Sequence, residues 1–273
     1  QRIDSFSVIV PNTLNLAVWV SNVEKNTGFD STLVELDSQT SELTVTLGNS
    51  HYSDDGGLLY IDSFETSTSE DDKIHVAVSG NDLLGDGSVN NPYATLSKAF
   101  QDVNPGKTIF VHEGTYTIET QIVLQKSGTT ENPIIIVGEN AIFEGLNLPN
   151  SKYGDIIRVE NYDNLVFDNL HFKNGGRAGL SLINADNVKV TNSVFENNGK
   201  WGLFTAYAEN VYIENNVAFG SQIEHGIYVS NSADNPIVRN NVAYSNADAG
   251  IQLNGDWEAP GDHFISNALV ENN

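Results

Sequence analysis

From residue 155 onward the chain repeats itself every 23 or 24 residues, and this periodicity narrows the possible folds more than any other feature. The segments DIIRVEN, AGLSLIN, WGLFTAY, HGIYVSN and AGIQLNG begin at Asp155, Ala178, Trp201, His225 and Ala249, spaced by 23, 23, 24 and 24 residues. LVFDNLHF, VKVTNSVF, VYIENNVAF and PIVRNNVAY follow the first four in turn, and an asparagine recurs within them: Asn169, Asn192, Asn215 and Asn240. A repeat of this length is a unit that cannot bury its apolar face alone and stacks into a solenoid. The Leu-x-x-Leu-x-Leu framework of leucine-rich repeats is absent. Each unit instead holds two or three short β-branched or aromatic runs and no helical pattern, which predicts coils of a parallel β-helix. Each strand would pair with its equivalent one coil away, about 4.8 Å along the axis. The recurrent asparagine suits a tight turn, because it tolerates the left-handed conformation and its amide can bond to backbone and to the next asparagine.

Upstream the pattern changes. Leu14, Leu16, Val18 and Val20 alternate with polar residues, as do Leu43, Val45 and Leu47. This period of two predicts a small β-sandwich-like domain over residues 1–70. The polar run 66–73 (TSTSEDDK) has no apolar anchor and marks the boundary, with the solenoid taking 74–273. Over about 94–103, Leu96, Ala99, Phe100 and Val103 follow helical spacing, and Asn104-Pro105-Gly106 stops the helix.

Composition limits what such a solenoid can do. With 36 Asp and Glu against 13 Lys and Arg, the formal charge is −23. Such a field repels nucleic acid and anionic lipid and favours Ca²⁺, which takes oxygen ligands, though solubility in a salty or extracellular medium accounts for the larger share of it. No apolar run is long enough to span a membrane. Cysteine is absent, so there is no disulfide framework and no cysteine-bound metal. Methionine is absent even at position 1, which predicts a processed, secreted protein or a part of one. The last residues fall in mid-coil, where an apolar stack needs a cover or further coils.

The passage VAVSGNDLLGDGSVNNPYATLSKAF, with NPGKTIFVHEGTY after it, resembles the start of pectate-lyase-like right-handed β-helix proteins, in which a short amphipathic helix caps the open end. HGIYVSNSADNPIVRNNVAYSNADAGIQLNGD is similar to repeats of secreted bacterial carbohydrate-active proteins. The resemblance covers about 74–273. It implies that the first strand of each coil lines a groove for a polysaccharide, while lyases, hydrolases, epimerases and non-catalytic adhesins all share the scaffold.

On that register the inward columns are Ile157, Leu180, Leu203, Ile227, Ile251 and Val159, Leu182, Thr205, Val229, Leu253. The outward columns are Arg158, Ser181, Phe204, Tyr228, Gln252 and Glu160, Ile183, Ala206, Ser230, Asn254. One edge carries Gly154, Arg177, Lys200, Glu224 and Asp248, beside Asp155, Ala178, Trp201, His225 and Ala249. Glu224 and Asp248 would stand about one coil, roughly 5 Å, apart. Two carboxylates that close need a cation or a proton between them, which suits Ca²⁺ or a retaining glycosidase pair, and solvated turn residues are the plain alternative. Lys200 is a candidate base next to a uronate carboxylate, as the resemblance implies for lyases, or an exposed turn lysine. His225 is the better base by its ordinary pKa, or a bonded histidine at a strand start. Arg177, Trp201, Phe204, Tyr228, Gln252 and Asn254 are candidate substrate contacts, with an aromatic ladder between coils as the rival role for the rings. The fifth repeat holds an insertion with Asp256, Trp257, Glu258, Asp262 and His263. Trp257 could grip sugar, and Asp256 and Asp262 could join Glu224 and Asp248 around a metal, against a loop of ordinary polar composition. His51, His75, His112 and His171 are expected to be structural. The leading expectation is a Ca²⁺-dependent lyase on a uronate polymer. A hydrolase or C5-epimerase, a glycan-binding surface protein and a structural spacer are the alternatives.

Overall fold

The structure is a computed structural model that describes residues 70–273 in full and, of the preceding residues, the backbone of five strands. The chain forms two compact units, Gln1–Ser69 and Glu70–Asn273. In the first, Ser5–Ile9, Glu42–Thr46 and Leu33–Asp37 make a three-stranded antiparallel sheet in that order, and Leu14–Asn15 pairs antiparallel with Glu65–Thr66. The remainder of the predicted sandwich, including Leu16 to Val20 and Leu47, lies outside the described residues.

The second unit is a parallel β-solenoid. One sheet has six strands in the order Ile251–Asn254, Ile227–Ser230, Trp201–Ala206, Ala178–Ile183, Ile157–Glu160 and Ile122–Leu124. A twelve-stranded sheet supplies the other walls. There the long strand Leu165–Lys173 pairs in parallel with two short ones of the next coil, Val188–Thr191 and Val194–Glu196. The break falls at the recurrent asparagine. Asn169, Asn192, Asn215, Asn240 and Asn272 have φ of 53, 51, 56, 56 and 54°, the left-handed bend that turns one wall into the next.

The amide of Asn169 donates to the Gly138 carbonyl at 2.7 Å, as expected, but the expected bonds to the next asparagine are not made at this position. Asn192 bonds to Asp168 and Asn240 to Glu214, not to each other. The asparagine-to-asparagine chain runs instead through Asn187, Asn210, Asn235 and Asn267, with bonds of 3.0 to 3.2 Å. A second ladder is internal. Asn216 and Asn241 are buried, and each carbonyl oxygen accepts the backbone N–H of the coil before, from Ser193 and Asn216. Their amides donate to Val190 and Ile213 carbonyls. The bend turns these side chains into the core, where only complete hydrogen bonding makes a polar group tolerable.

The core follows the predicted register. Ile157 pairs with Leu180, Leu180 with Leu203, Leu203 with Ile227 and Ile227 with Ile251. The first four have no exposed surface. Tyr116, Phe143, Phe172 and Phe195 stack through the centre at 5.4, 5.8 and 5.2 Å between ring centroids. The helix spans Leu96–Asp102, capped by the Thr95 hydroxyl accepting from the Lys98 N–H, and buries Leu96, Ala99 and Phe100. It packs on the strands Lys73–Val76 and Ile122–Leu124, covering the first coil.

Candidate functional site

The outward face of the six-stranded sheet carries the column Val123, Arg158, Ser181, Phe204, Tyr228, Gln252, each paired with its neighbour one coil on. Burial along this face is uneven. Trp201 and Phe204 stack almost flat, 4.2 Å between centroids and 13° apart, and retain 6% and 8% exposure. The Arg177 guanidinium lies over both rings at 5.4 and 5.6 Å, and the Lys200 ammonium lies 4.2 Å from the Trp201 centroid. With Ala178 and Ala206 these rings form a satellite apolar cluster on the groove side. Of the two roles open to Trp201 and Phe204, packing takes most of their surface: the rings stack on each other within one strand, and Arg177 of the coil before lies over both. Tyr228 is partly exposed and tilted against both.

A polar chain runs along the adjoining edge. Arg177 donates to both carboxylate oxygens of Asp155 at 2.6 Å and to Ser181 Oγ at 3.2 Å. Asp155 has no exposed surface and also accepts from the Ala178 N–H at 3.2 Å and from Arg158 at 3.4 Å. Glu224 is held twice, by Lys200 Nζ on Oε1 at 3.0 Å and by Trp201 Nε1 on Oε2 at 2.8 Å. His225 is 6% exposed. Its Nε2 is 3.9 Å from Glu224 and its Nδ1 is 4.0 Å from Asp248. That Nδ1 is buried without a hydrogen-bond partner. The ring meets Tyr228 edge-on at 4.9 Å. Burial, with the charges of Asp256 and Glu224, pushes the Tyr228 phenol up from its ordinary 10.0 against the opposing bond from Asn254, so it stays protonated through neutral pH. Its oxygen accepts from Asn254 Nδ2 at 3.2 Å.

This geometry revises several expectations. Glu224 and Asp248 do not face one another across a shared ion: the His225 ring stands between them, one nitrogen toward each. The metal set Glu224, Asp248, Asp256 and Asp262 is not gathered. Among the described residues no group of three or more His, Asp or Glu side chains is placed to hold a metal ion. Those four carboxylates thus form no shared cation cage among the described residues. Lys200 is an ion-pair partner of Glu224, and Arg177 is a partner of Asp155. The inserted loop meets the far edge of the groove, where the His263 N–H donates to Ser232 Oγ at 3.0 Å. Trp257 is 77% exposed there, with its ring 4.9 Å from His263.

Asp155 and Ser181 are absent from the candidates that sequence reasoning names. The available signal was weak: Asp155 is the acidic member of a position that reads Asp, Ala, Trp, His and Ala across the repeats. His75 and His112 lie outside the groove, bonded ring to ring at 3.0 Å. His171 pairs with Glu196 at 2.9 Å.

A family model for the Pel9A-like right-handed β-helix region matches residues 74–256. This chain belongs to the Pel9A-like β-helix family. The handedness expected of the coils is therefore that of the family, and the groove strands through Asn254 lie within the matched residues, with the inserted loop from Trp257 beyond them. Among solved structures, the chain is similar to pectate lyase Pel9A, with 25% identity and a TM-score of 0.57 over 66% of this chain and 50% of that one. A rhamnogalacturonan lyase shares the fold, with a TM-score of 0.54, 17% identity and coverage of 73% and 57%. Pectate lyase PEL9 of Emericella nidulans is 30% identical over 93 residues, which are 33% of this chain and 22% of that protein. The chain thus spans about half the length of the first solved relative and about a fifth of the curated one. Among the described residues no helix is long and apolar enough to cross a membrane.

Proposed function

We propose that this chain belongs to a secreted polysaccharide-active enzyme, a lyase that cleaves a uronate-containing polymer by β-elimination along the groove. The observation that carries the reading is His225. A buried imidazole with an unpartnered Nδ1 stands between two carboxylates and against a protonated phenol, on the groove side of Pel9A-like coils.

His225 Nδ1 takes the proton next to the sugar carboxylate, and displacement of the exposed Asp248 side chain opens its path. The electron pair forms the new C=C bond as the C–O bond to the leaving sugar breaks. The leaving oxygen takes a proton, for which the Tyr228 hydroxyl is the placed donor. Glu224, fixed by Lys200 and Trp201, stabilises the imidazolium that forms. In this reading Lys200 positions Glu224, and it becomes the base only if it releases that carboxylate.

The test is a product assay on a panel of polysaccharides, following ultraviolet absorbance of unsaturated ends and reducing ends together. Unsaturated product is expected. Replacing His225 by Ala should lower turnover by about 10²-fold or more, the usual worth of a general base, without loss of the folded state by circular dichroism. Turnover that survives His225→Ala but disappears in Lys200→Ala would move the base to Lys200. Reducing ends without unsaturation would make the protein a hydrolase, and binding without product a surface protein. Calcium dependence is a separate proposal, motivated by the net charge of −23. Loss of product on adding chelator, restored by excess Ca²⁺, would support it.

A further inference from the structure

Tyr228 and the inserted loop are joined through one side chain. Asn254 ends the strand Ile251–Asn254 and is exposed on the groove face, one coil beyond Tyr228. Its Nδ2 donates to the Tyr228 oxygen at 3.2 Å, and its Oδ1 accepts the Asp256 N–H at 3.0 Å. A backbone N–H can only donate, so the amide atom facing Asp256 is the oxygen. The nitrogen is thereby turned to Tyr228. The reversed amide, which would set an acceptor against the phenol, is excluded.

The loop fixes Asp256 in turn. Asp256 has a φ of 45°. The returning chain passes so close to Gly255 that a Cβ there would lie 2.0 Å from the His263 carbonyl oxygen. The His263 N–H is tied to Ser232 Oγ at 3.0 Å, and the Ser266 N–H to Asp234 Oδ1 at 2.7 Å. The insertion thus leaves the strand end and returns to it, holding in place the N–H that aligns the amide.

A phenol oxygen carries one proton and accepts on its other side. Among the described residues, the hydrogen bond at the Tyr228 oxygen is the one it accepts from Asn254, so its own proton points away from that amide. Ser230, beside it on the strand, gives its hydroxyl proton to the Thr205 carbonyl at 3.0 Å. The rings of Trp201 and Phe204 are tilted against Tyr228, and His225 meets it edge-on. The Tyr228 proton is left for an oxygen that arrives in the groove.

We propose that Asn254 is a positioning residue: held by the inserted loop, its amide keeps the Tyr228 hydroxyl turned to the groove as proton donor to the departing sugar oxygen. This deepens the lyase reading and rests on it. As the C–O bond breaks, its electron pair stays on the leaving oxygen, which takes the Tyr228 proton. The phenolate left behind and the imidazolium formed at His225 return to neutrality by proton exchange with water.

The test is steady-state turnover of the whole chain on two substrates. One is the polysaccharide of the panel that yields unsaturated product. The other is the same uronate bearing a dinitrophenyl ether at the leaving position. Dinitrophenolate departs without a proton, so only the polymer needs the donor. Asn254→Ala should lower kcat on the polymer at least about tenfold, part of the usual worth of a general acid, while KM and turnover of the ether stay near wild type. Asn254→Asp keeps the shape but puts an acceptor where the amide nitrogen stood, and it should do no better than Ala. Tyr228→Phe should show the same split, and His225→Ala, which lacks the base, should fail on both substrates. Because Asn254 is exposed, circular dichroism should stay unchanged in its variants. A rise in KM alone would make Asn254 a substrate contact, and an equal loss on both substrates would make it a support for the base or the fold. Either result, or wild-type turnover of the polymer in Asn254→Asp, overturns the inference and leaves the lyase reading standing. No unsaturated product from any polymer removes the lyase reading, and the inference with it.

Discussion

Arg177 meets Asp155 through two bonds of 2.6 Å, and Asp155 has no exposed surface. A charge buried in this way is tolerable only while paired, and removing one partner costs far more than the pair contributes net. Arg177→Ala leaves Asp155 with the Ala178 N–H and the longer Arg158 contact, and uncovers the Trp201–Phe204 stack. It should lower unfolding free energy by about 3 kcal/mol, read as a lower denaturant midpoint. Unchanged stability would mean the pair is not buried as described. Asp155 also makes Arg177 a poor substrate ligand, because it takes the Nε–Nη2 edge that would grip a uronate carboxylate with two bonds. His225 differs because its Nδ1 is buried without a hydrogen-bond partner.

Among elements, the groove strands show why the repeat is so regular. In four of the five repeats the second position is glycine, at Gly179, Gly202, Gly226 and Gly250, and in the first it is Ile156. Where the strand begins, the chain passes close over the internal phenylalanine stack. A Cβ on Gly202 would lie 2.5 Å from the Gly226 carbonyl oxygen and 2.8 Å from Phe195 Cβ. Backbone and a buried ring cannot both yield cheaply. Gly202→Ala should therefore cost about 1 to 3 kcal/mol, the usual penalty for overpacking a core. The expected result is a lower urea midpoint with an unchanged slope, and wild-type stability would show that the strand can lift. The buried asparagine ladder acts beside this stack, tying each coil's backbone to the next by directional bonds that apolar packing lacks.

Across the solenoid, stability should respond to pH through the far end from the groove. His75 is 4% exposed and bonds to His112, with Glu70, Lys73 and, through His112, Glu139 as the charged neighbours. Burial lowers its pKa below the ordinary 6.5; Glu70 opposes this, and His112 and Lys73 add to it. The unfolded chain therefore takes up a proton that the folded chain resists. The contribution of neutral His75 is complete above pH 6.5 and declines as pH falls through 6.5 toward the lower folded value. The melting temperature should drop between about pH 7 and 5, and His75→Gln should flatten part of that drop. An identical slope in the variant would assign it to other groups.

The 23- and 24-residue spacings were enough to determine the coil and the register of the five groove strands from Ile157 onward, because a period repeated five times leaves one way to stack apolar columns inward, while the capping helix was legible from its own apolar stripe. They also placed the left-handed turns at the recurrent asparagines. Tertiary structure decided what the outward residues do. Spacing puts Arg177, Lys200, Glu224 and Asp248 along one edge, but whether a side chain reaches solvent or its neighbour depends on rotamer and on partners one coil away. Arg177 turned to Asp155, Lys200 and Trp201 to Glu224, and Trp201 and Phe204 to each other. The backbone register was legible because burial of apolar area enforces it. The pairing of long polar side chains was not, because several partners lie within equal reach and only their three-dimensional packing selects among them.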